Sequence, residues 1–458
     1  MTDLAVAFTD HVLGLSLSKV PQGAIEAAKT FLLDTIGVGV AGARAPLAEE
    51  VLRVSSGWGV AGIGLGANVL GRGRRLPTPS AAFVNAFQIH CQEYDCVHEP
   101  AVVHPMAVIG GALLSEVDAR PASGAAFLAA LIGAVDVAAG LGVAVKSPIQ
   151  FFRPANAGLF GATLGIASLR GFDRQTALDA LGYALAQCSG TMQAHVEGKP
   201  ALPLQVANAA RAAIAACDLA EAGIPGPNDV FEGPYGYLPL FEEDWDVAPV
   251  LDSLGTLWRI EEVSHKPFPT GRAAQGGIVL VQKLRTQGLA ADALQSLTLS
   301  GPPIIKRLVG RPLTLDMMAN YARLCFQYSG AVALRKGTVG LGDFRPDALT
   351  DPETTALGAK ISVIEDGSTD PAAFAPQTAI AKTKDGGEMT ATIQALYGSP
   401  ADPMTDAAHL EKFVDCLAYG FDKPMTDLGA ALTEAVSGLE TLTDAGRLTR
   451  LASGVLSP

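Results

Sequence analysis

The sequence predicts a mainly α protein in which a large all-helical domain, formed by both chain ends, carries a smaller inserted α+β domain placed as a lid. Three observations predict it. Up to about Gly223, apolar residues recur at spacings of three and four between Gly and Pro punctuation, with almost no β-branched alternation. Beyond Trp258 come short Thr-, Ile- and Val-rich runs that partly alternate. After Pro403 the helical spacing returns. The expected limits are residues 1–262 and 401–458 for the helical domain and 263–400 for the insert.

The elements follow in order. Leu13, Leu15 and Val20 lead into a helix over Ala24 to Ala41, followed by helices over Pro79 to Ile89, Pro105 to Val117, Gly124 to Val143, Gly158 to Arg170, Arg174 to Ser189 and Pro203 to Ala222. Strands are expected over Leu294 to Ser300, Ile361 to Ile364, Gln377 to Thr383 and Met389 to Tyr397, with Asp385-Gly386-Gly387 as the hairpin turn. Helices close the chain over Ala407 to Tyr419 and Leu428 to Gly438. The longest apolar run, Ala125 to Val145, has the length of a membrane span, but it contains Asp136 and is built from small residues, which predicts a buried core helix.

With 458 residues the chain exceeds one small core, and 17% charged and 6% aromatic residues fit a close-packed helical protein. A net charge of −13 and the lack of any Lys/Arg run argue against a nucleic-acid surface. Local basic clusters still leave room for a small anionic substrate. Six scattered cysteines and an N-terminus without signal-peptide character predict reduced thiols and a cytoplasmic protein. No phosphate-loop or dinucleotide fingerprint stands between strand and helix, so neither ATP nor NAD is implied.

The chemistry concentrates between His90 and Met106, which hold His90, His98 and His104 of the chain's seven histidines beside Cys91, Cys96, Glu93, Asp95 and Glu99. A polar turn pinned between apolar helices suits shifted pKa values and proton transfer. His98 has two readings, a packed structural histidine or a site group. His104 precedes Pro105, which places its imidazole at the start of the next helix beside free N–H groups. None of the His and Cys spacings matches CxxC or HExxH, so no metal is expected.

Several ordered stretches together resemble the 2-methylcitrate dehydratase (MmgE/PrpD) family, which also includes cis-aconitate decarboxylase and iminodisuccinate epimerase. They are Phe31-Leu32-Leu33-Asp34-Thr35-Ile36-Gly37, Tyr94-Asp95-Cys96-Val97-His98 with His104-Pro105, Pro154-Ala155-Asn156-Ala157-Gly158, Asn208-Ala209-Ala210-Arg211, Lys266-Pro267-Phe268-Pro269 and Phe326-Gln327-Tyr328. The resemblance implies a helical domain with an α+β lid, a homodimer, no organic cofactor or metal, and proton transfer next to carboxylates of small di- and tricarboxylic acids. It marks Asp95, His104, Lys266 and Tyr328 as catalytic, with His98, Arg153, Lys199 and Arg272 around the substrate.

The sequence also departs from the family pattern. Arg153 stands where a His is expected, Leu202 and Gln205 replace a Lys and a His with Lys199 displaced upstream, and Gly271 followed by Arg272 replaces another His. Fewer proton-transfer groups and more permanent carboxylate clamps lead to the expectation of an epimerase of an imino- or amino-dicarboxylate such as iminodisuccinate. A dehydratase or decarboxylase of a tricarboxylate is the alternative, and a non-catalytic carboxylate-binding relative a third reading.

Overall fold

Among the described residues two large apolar cores organise the chain, and a small third cluster gathers Ala48, Leu52, Val69, Phe83 and Phe87. The structure, a computed structural model, describes residues 3–62, 66–370 and 373–454. The larger core gathers buried side chains from Leu4 to Val263 together with Leu324 and with Phe413, Leu417, Leu432 and Leu448 from the C-terminal end. The smaller core is made from the stretch between Phe268 and Leu396.

The larger core is a stack of helices held at short range by small residues. Gly124–Ala144 lies at its centre against Arg153–Leu169, and Thr78–His90 packs on Pro105–Ala119. The approach is close because glycines face backbone: a Cβ on Gly161 would stand 2.4 Å from the Ala134 carbonyl oxygen. Gly124–Ala144 has the length and apolarity of a membrane span, yet 89% of its most apolar window is buried inside the protein. Its Asp136 accepts from the Arg259 backbone N–H at 2.8 Å and meets His11 Nε2 at 2.9 Å, so the carboxylate is partnered within the helix stack.

The chain ends meet in one layer. Asp406–Phe421 packs along Gln22–Gly42, with Phe413 beside Gly37 and a buried Lys412–Asp34 ion pair at 2.6 Å. The inserted part carries a four-stranded mixed sheet in the order Ile361–Glu365, Leu294–Gly301, Gln377–Thr383, Glu388–Ile393. The first pair is parallel and the others are antiparallel. The Asp385-Gly386-Gly387 turn joins the last two, with Gly386 at φ +89°.

One element departs from the expectation of helices alone in the first half. Ala67–Val69 and Arg74–Leu76 form a small antiparallel hairpin. Three-residue strands are too short to show alternation, and the basic Gly71-Arg72-Gly73 turn supplies the two positive φ values, +64° and +55°, that close it.

Candidate active site

Two turns build the site. Thr78–His90 ends at His90, and the chain then reverses through Glu93 in the left-handed region at φ +51°. A second turn places Val102 at φ +51° and delivers His104 as the residue before the Pro105–Ala119 helix. Left-handed backbone is costly for a β-branched valine, and both strained residues line the cleft described below. Bridges between His98 and Val103, and between Val97 and Ser264, tie the loop to itself and to the segment leading to Lys266.

Asp95 is the hub. Its buried carboxylate accepts from His90 Nδ1 at 3.0 Å, and His104 Nδ1 approaches the same oxygen at 3.2 Å. The other oxygen lies 3.9 Å from Lys266 Nζ, which donates to Glu93 Oε2 at 2.8 Å. His90 Nε2 stands 3.8 Å from the second Glu93 oxygen, and the two imidazoles meet edge to face with centroids 4.9 Å apart. Two carboxylates, two imidazoles and one ammonium thus form a single network, buried except at His104.

The network splits its members electrostatically. Burial disfavours charge on both carboxylates, but the surrounding cations outweigh it: Lys266, His90 and His104 bring Glu93 down to about 2, and the same three hold Asp95 well below the usual carboxylate range. Burial also opposes charge on His90, yet Asp95 and Glu93 raise its pKa. His104 goes the other way, lowered by burial and by Lys266 against the pull of Asp95. One imidazole therefore favours its charged form while its neighbour sheds its proton more readily.

His104 is the cluster's outlet. Its side chain is 15% exposed where Lys266 and Asp95 are fully buried, and it lines a cleft of about 590 Å³, counted to its mouth, between the two cores. The polar lining consists of Glu93, His104, His195 and Arg272; the remainder is largely apolar, including Phe152, Met192, Leu202, Leu308 and Phe374. Burial and Arg311 bring His195 down to about 4, so at neutral pH it offers an uncharged imidazole. Arg272 pairs with Glu99 at 2.7 Å and donates through Nη1 to three oxygens, while its buried Nη2 has no protein partner among the described residues.

The structure brings together Asp95, His104, Lys266 and Arg272, with Lys266 standing behind Glu93 rather than on the cleft wall. The other four expected residues stand elsewhere. Tyr328 is buried in the smaller core, where its hydroxyl donates to the carbonyls of Asp343 and Ala348. His98 is enclosed between Glu262 at 2.9 Å and the Ala101 N–H at 3.2 Å, which is the packed reading. Arg153 is no free clamp: it grips buried Glu242 through Nε at 3.0 Å and Nη2 at 3.1 Å. Lys199 is exposed and lines a separate surface hollow with Asp316 and Tyr321.

The site expectation omitted His90, Glu93 and His195. The first two lie inside the dense His90 to Met106 segment, so their signal was density and not spacing. His195 had no local signal, because it reaches the cleft from the separate short helix Gln193–Glu197.

The MmgE/PrpD N-terminal domain model matches residues 6–249 and the MmgE/PrpD C-terminal domain model matches residues 268–431. The chain belongs to the MmgE/PrpD family. Among curated relatives, it is 26% identical to the cis-aconitate decarboxylase-like protein oryM of Aspergillus oryzae, over 97% of this chain and 96% of that protein. It is 26% identical to the cis-aconitate decarboxylase of Mus musculus, over 98% and 93% of the two chains, and 25% identical to that of Homo sapiens, over 100% and 96%.

Proposed function

We propose that this MmgE/PrpD protein is a cofactor-free decarboxylase of a small unsaturated tricarboxylate of the cis-aconitate type, with His104 as the proton donor. The observation that carries this reading is the one-sidedness of the acid–base network. His104 and Lys266 both lean on the single carboxylate of Asp95, and His104 alone of the two reaches the cleft. An epimerase has to remove a proton on one face and return one on the other, which calls for opposed groups. Arg153 is committed to Glu242 and adds no free carboxylate clamp for an epimerase substrate.

Decarboxylation needs one face. In cis-aconitate a carboxylate sits on the carbon next to the double bond. As the C–CO₂ bond breaks, its electron pair forms a new double bond and the old one shifts its pair to the carbon beside the far carboxylate. That carbon takes the proton from His104, and CO₂ leaves. Free His104 gives up its proton readily, and the negative charge of a bound polycarboxylate favours the protonated imidazole needed for this step. Arg272 lines the cleft and has Nη2 without a protein partner among the described residues, which supports it as the holder of a spectator carboxylate, and the apolar walls favour charge that is dispersing over charge that is concentrated.

Incubation with cis-aconitate in deuterium oxide, followed by NMR and mass spectrometry, tests this. The expected product has lost CO₂ and gained one carbon-bound deuterium. Exchange without mass loss on an imino- or amino-dicarboxylate would restore the epimerase reading, loss of water from a hydroxytricarboxylate would point to a dehydratase, and binding without turnover of any of these acids would favour a binding relative.

A further inference from the structure

A second cluster of ligand-type side chains lies apart from the Asp95 network. Asp34 on Gln22–Gly42, His409 on Asp406–Phe421 and His265 on the segment entering Lys266 converge so that one ligand atom from each lies within 4.8 Å of the others. All three residues are at least nine-tenths buried, with exposures of 2%, 8% and 9%. Asp34 Oδ2, His265 Nε2 and His409 Nε2 are each without a hydrogen-bond partner among the described residues. Buried polar atoms are seldom left so, and one such atom on each residue of a three-residue cluster is a stronger observation than any one alone.

Asp34 Oδ2 offers only lone pairs, and a neutral imidazole presents a lone pair at Nε2 when its proton sits on Nδ1. Acceptors gathered in this way are satisfied by a cation or by a water donating its hydrogens.

We propose that Asp34, His265 and His409 bind a divalent transition-metal ion of the zinc or cobalt class, which two imidazoles and a carboxylate suit. Neighbouring ligand atoms of a tetrahedral zinc are about 3.4 Å apart, so closure from separations under 4.8 Å needs shifts on the order of 1 Å. The charged groups facing the cluster are Lys412, on the other Asp34 oxygen, and Arg272, both opposing a cation, with Asp406 favouring one. Lys412 also donates to the Tyr94 carbonyl at 2.9 Å and lies over the Tyr94 ring, which draws part of its charge away from Asp34. The ion would fasten the N-terminal helix, the C-terminal helix and the residue preceding Lys266, His265, whose carbonyl accepts from Arg272 Nη1 at 3.1 Å.

Cobalt(II) titration of the full chain, freed of metal by chelation, reads the site directly through its visible d–d bands. One equivalent with tetrahedral bands, a higher Tm with bound metal, and loss of both in His409→Ala and Asp34→Asn are expected. His90→Gln, which alters the other histidine cluster, should keep them. The absence of bands in the wild-type chain, or bands that persist in Asp34→Asn and vanish in His90→Gln, would overturn the proposal and leave water as the occupant. Because the spectrum is read without turnover, failure of the decarboxylase reading would not affect it.

Discussion

Asp95→Asn keeps the shape of the hub and removes its charge. Asp95 Oδ2 stands 3.2 Å from His104 Nδ1, where opposite unit charges attract by about 5 kcal/mol at an effective dielectric of about 20. Asparagine keeps a polar oxygen there and the cluster can relax, so about half of this should be lost, or about 10²-fold in kcat. KM should change little, because Asp95 does not line the cleft. The pH profile is the sharper assay. A donor must be protonated, so kcat/KM should be full below the His104 pKa and fall as pH rises through it, and that pKa lies below the usual 6.5 because burial and Lys266 lower it. Asp95 favours the imidazolium, so its neutralisation should move this limb to still lower pH. An unchanged kcat, or a limb displaced toward alkaline pH, would refute the donor assignment.

Tyr328→Phe should leave kcat and KM within about twofold while lowering stability by about 1–2 kcal/mol, since its hydroxyl serves two carbonyls and no cleft group; steady-state kinetics with a denaturant melt checks this. Arg153→Met leaves buried Glu242 without its cation, held only by the Tyr237 and Ser147 hydroxyls, and should cost about 3–5 kcal/mol of stability, again by denaturant melt, with no specific rise in KM. His195, held at about 4 when folded against 6.5 unfolded, supplies stability that is present above 6.5 and lost as pH falls from there toward 4. Over that window it should account for about 3 kcal/mol of acid destabilisation, and His195→Gln should flatten the pH dependence of the unfolding free energy by that amount.

The helical scaffold was legible because helix propensity and three-four spacing are local properties. His104 was legible for the same reason, since Pro105 fixes it before a helix start. What escaped were partnerships across the chain. Arg153 reads as a carboxylate clamp until Glu242, 89 residues away, arrives in its fork. Tyr328 sits in a family motif, yet the direction of its side chain is decided by the turn carrying Asp343. His90 was within the densest polar segment, but no spacing rule announces that it shares an oxygen with His104, because that contact needs the Glu93 turn to reverse the chain.

That turn also links the strain in the backbone to the chemistry. Glu93 and Val102 adopt left-handed conformations that cost about 1–3 kcal/mol each in isolation, and they bracket the segment whose ends carry His90 and His104. Relaxing either turn would separate groups that meet on one Asp95 oxygen. The strain persists because the opposing contacts are charged, buried and mutually dependent: Lys266 needs Glu93, Glu93 needs the left-handed turn to face Lys266, and Asp95 needs both imidazoles to remain ionised in a dry interior. His104 is the member with the least to lose from motion, being partly exposed and off the line of a good hydrogen bond to Asp95. A donor that is loosely held while every group behind it is locked can follow a substrate carbon into reach without dismantling the network that sets its proton affinity.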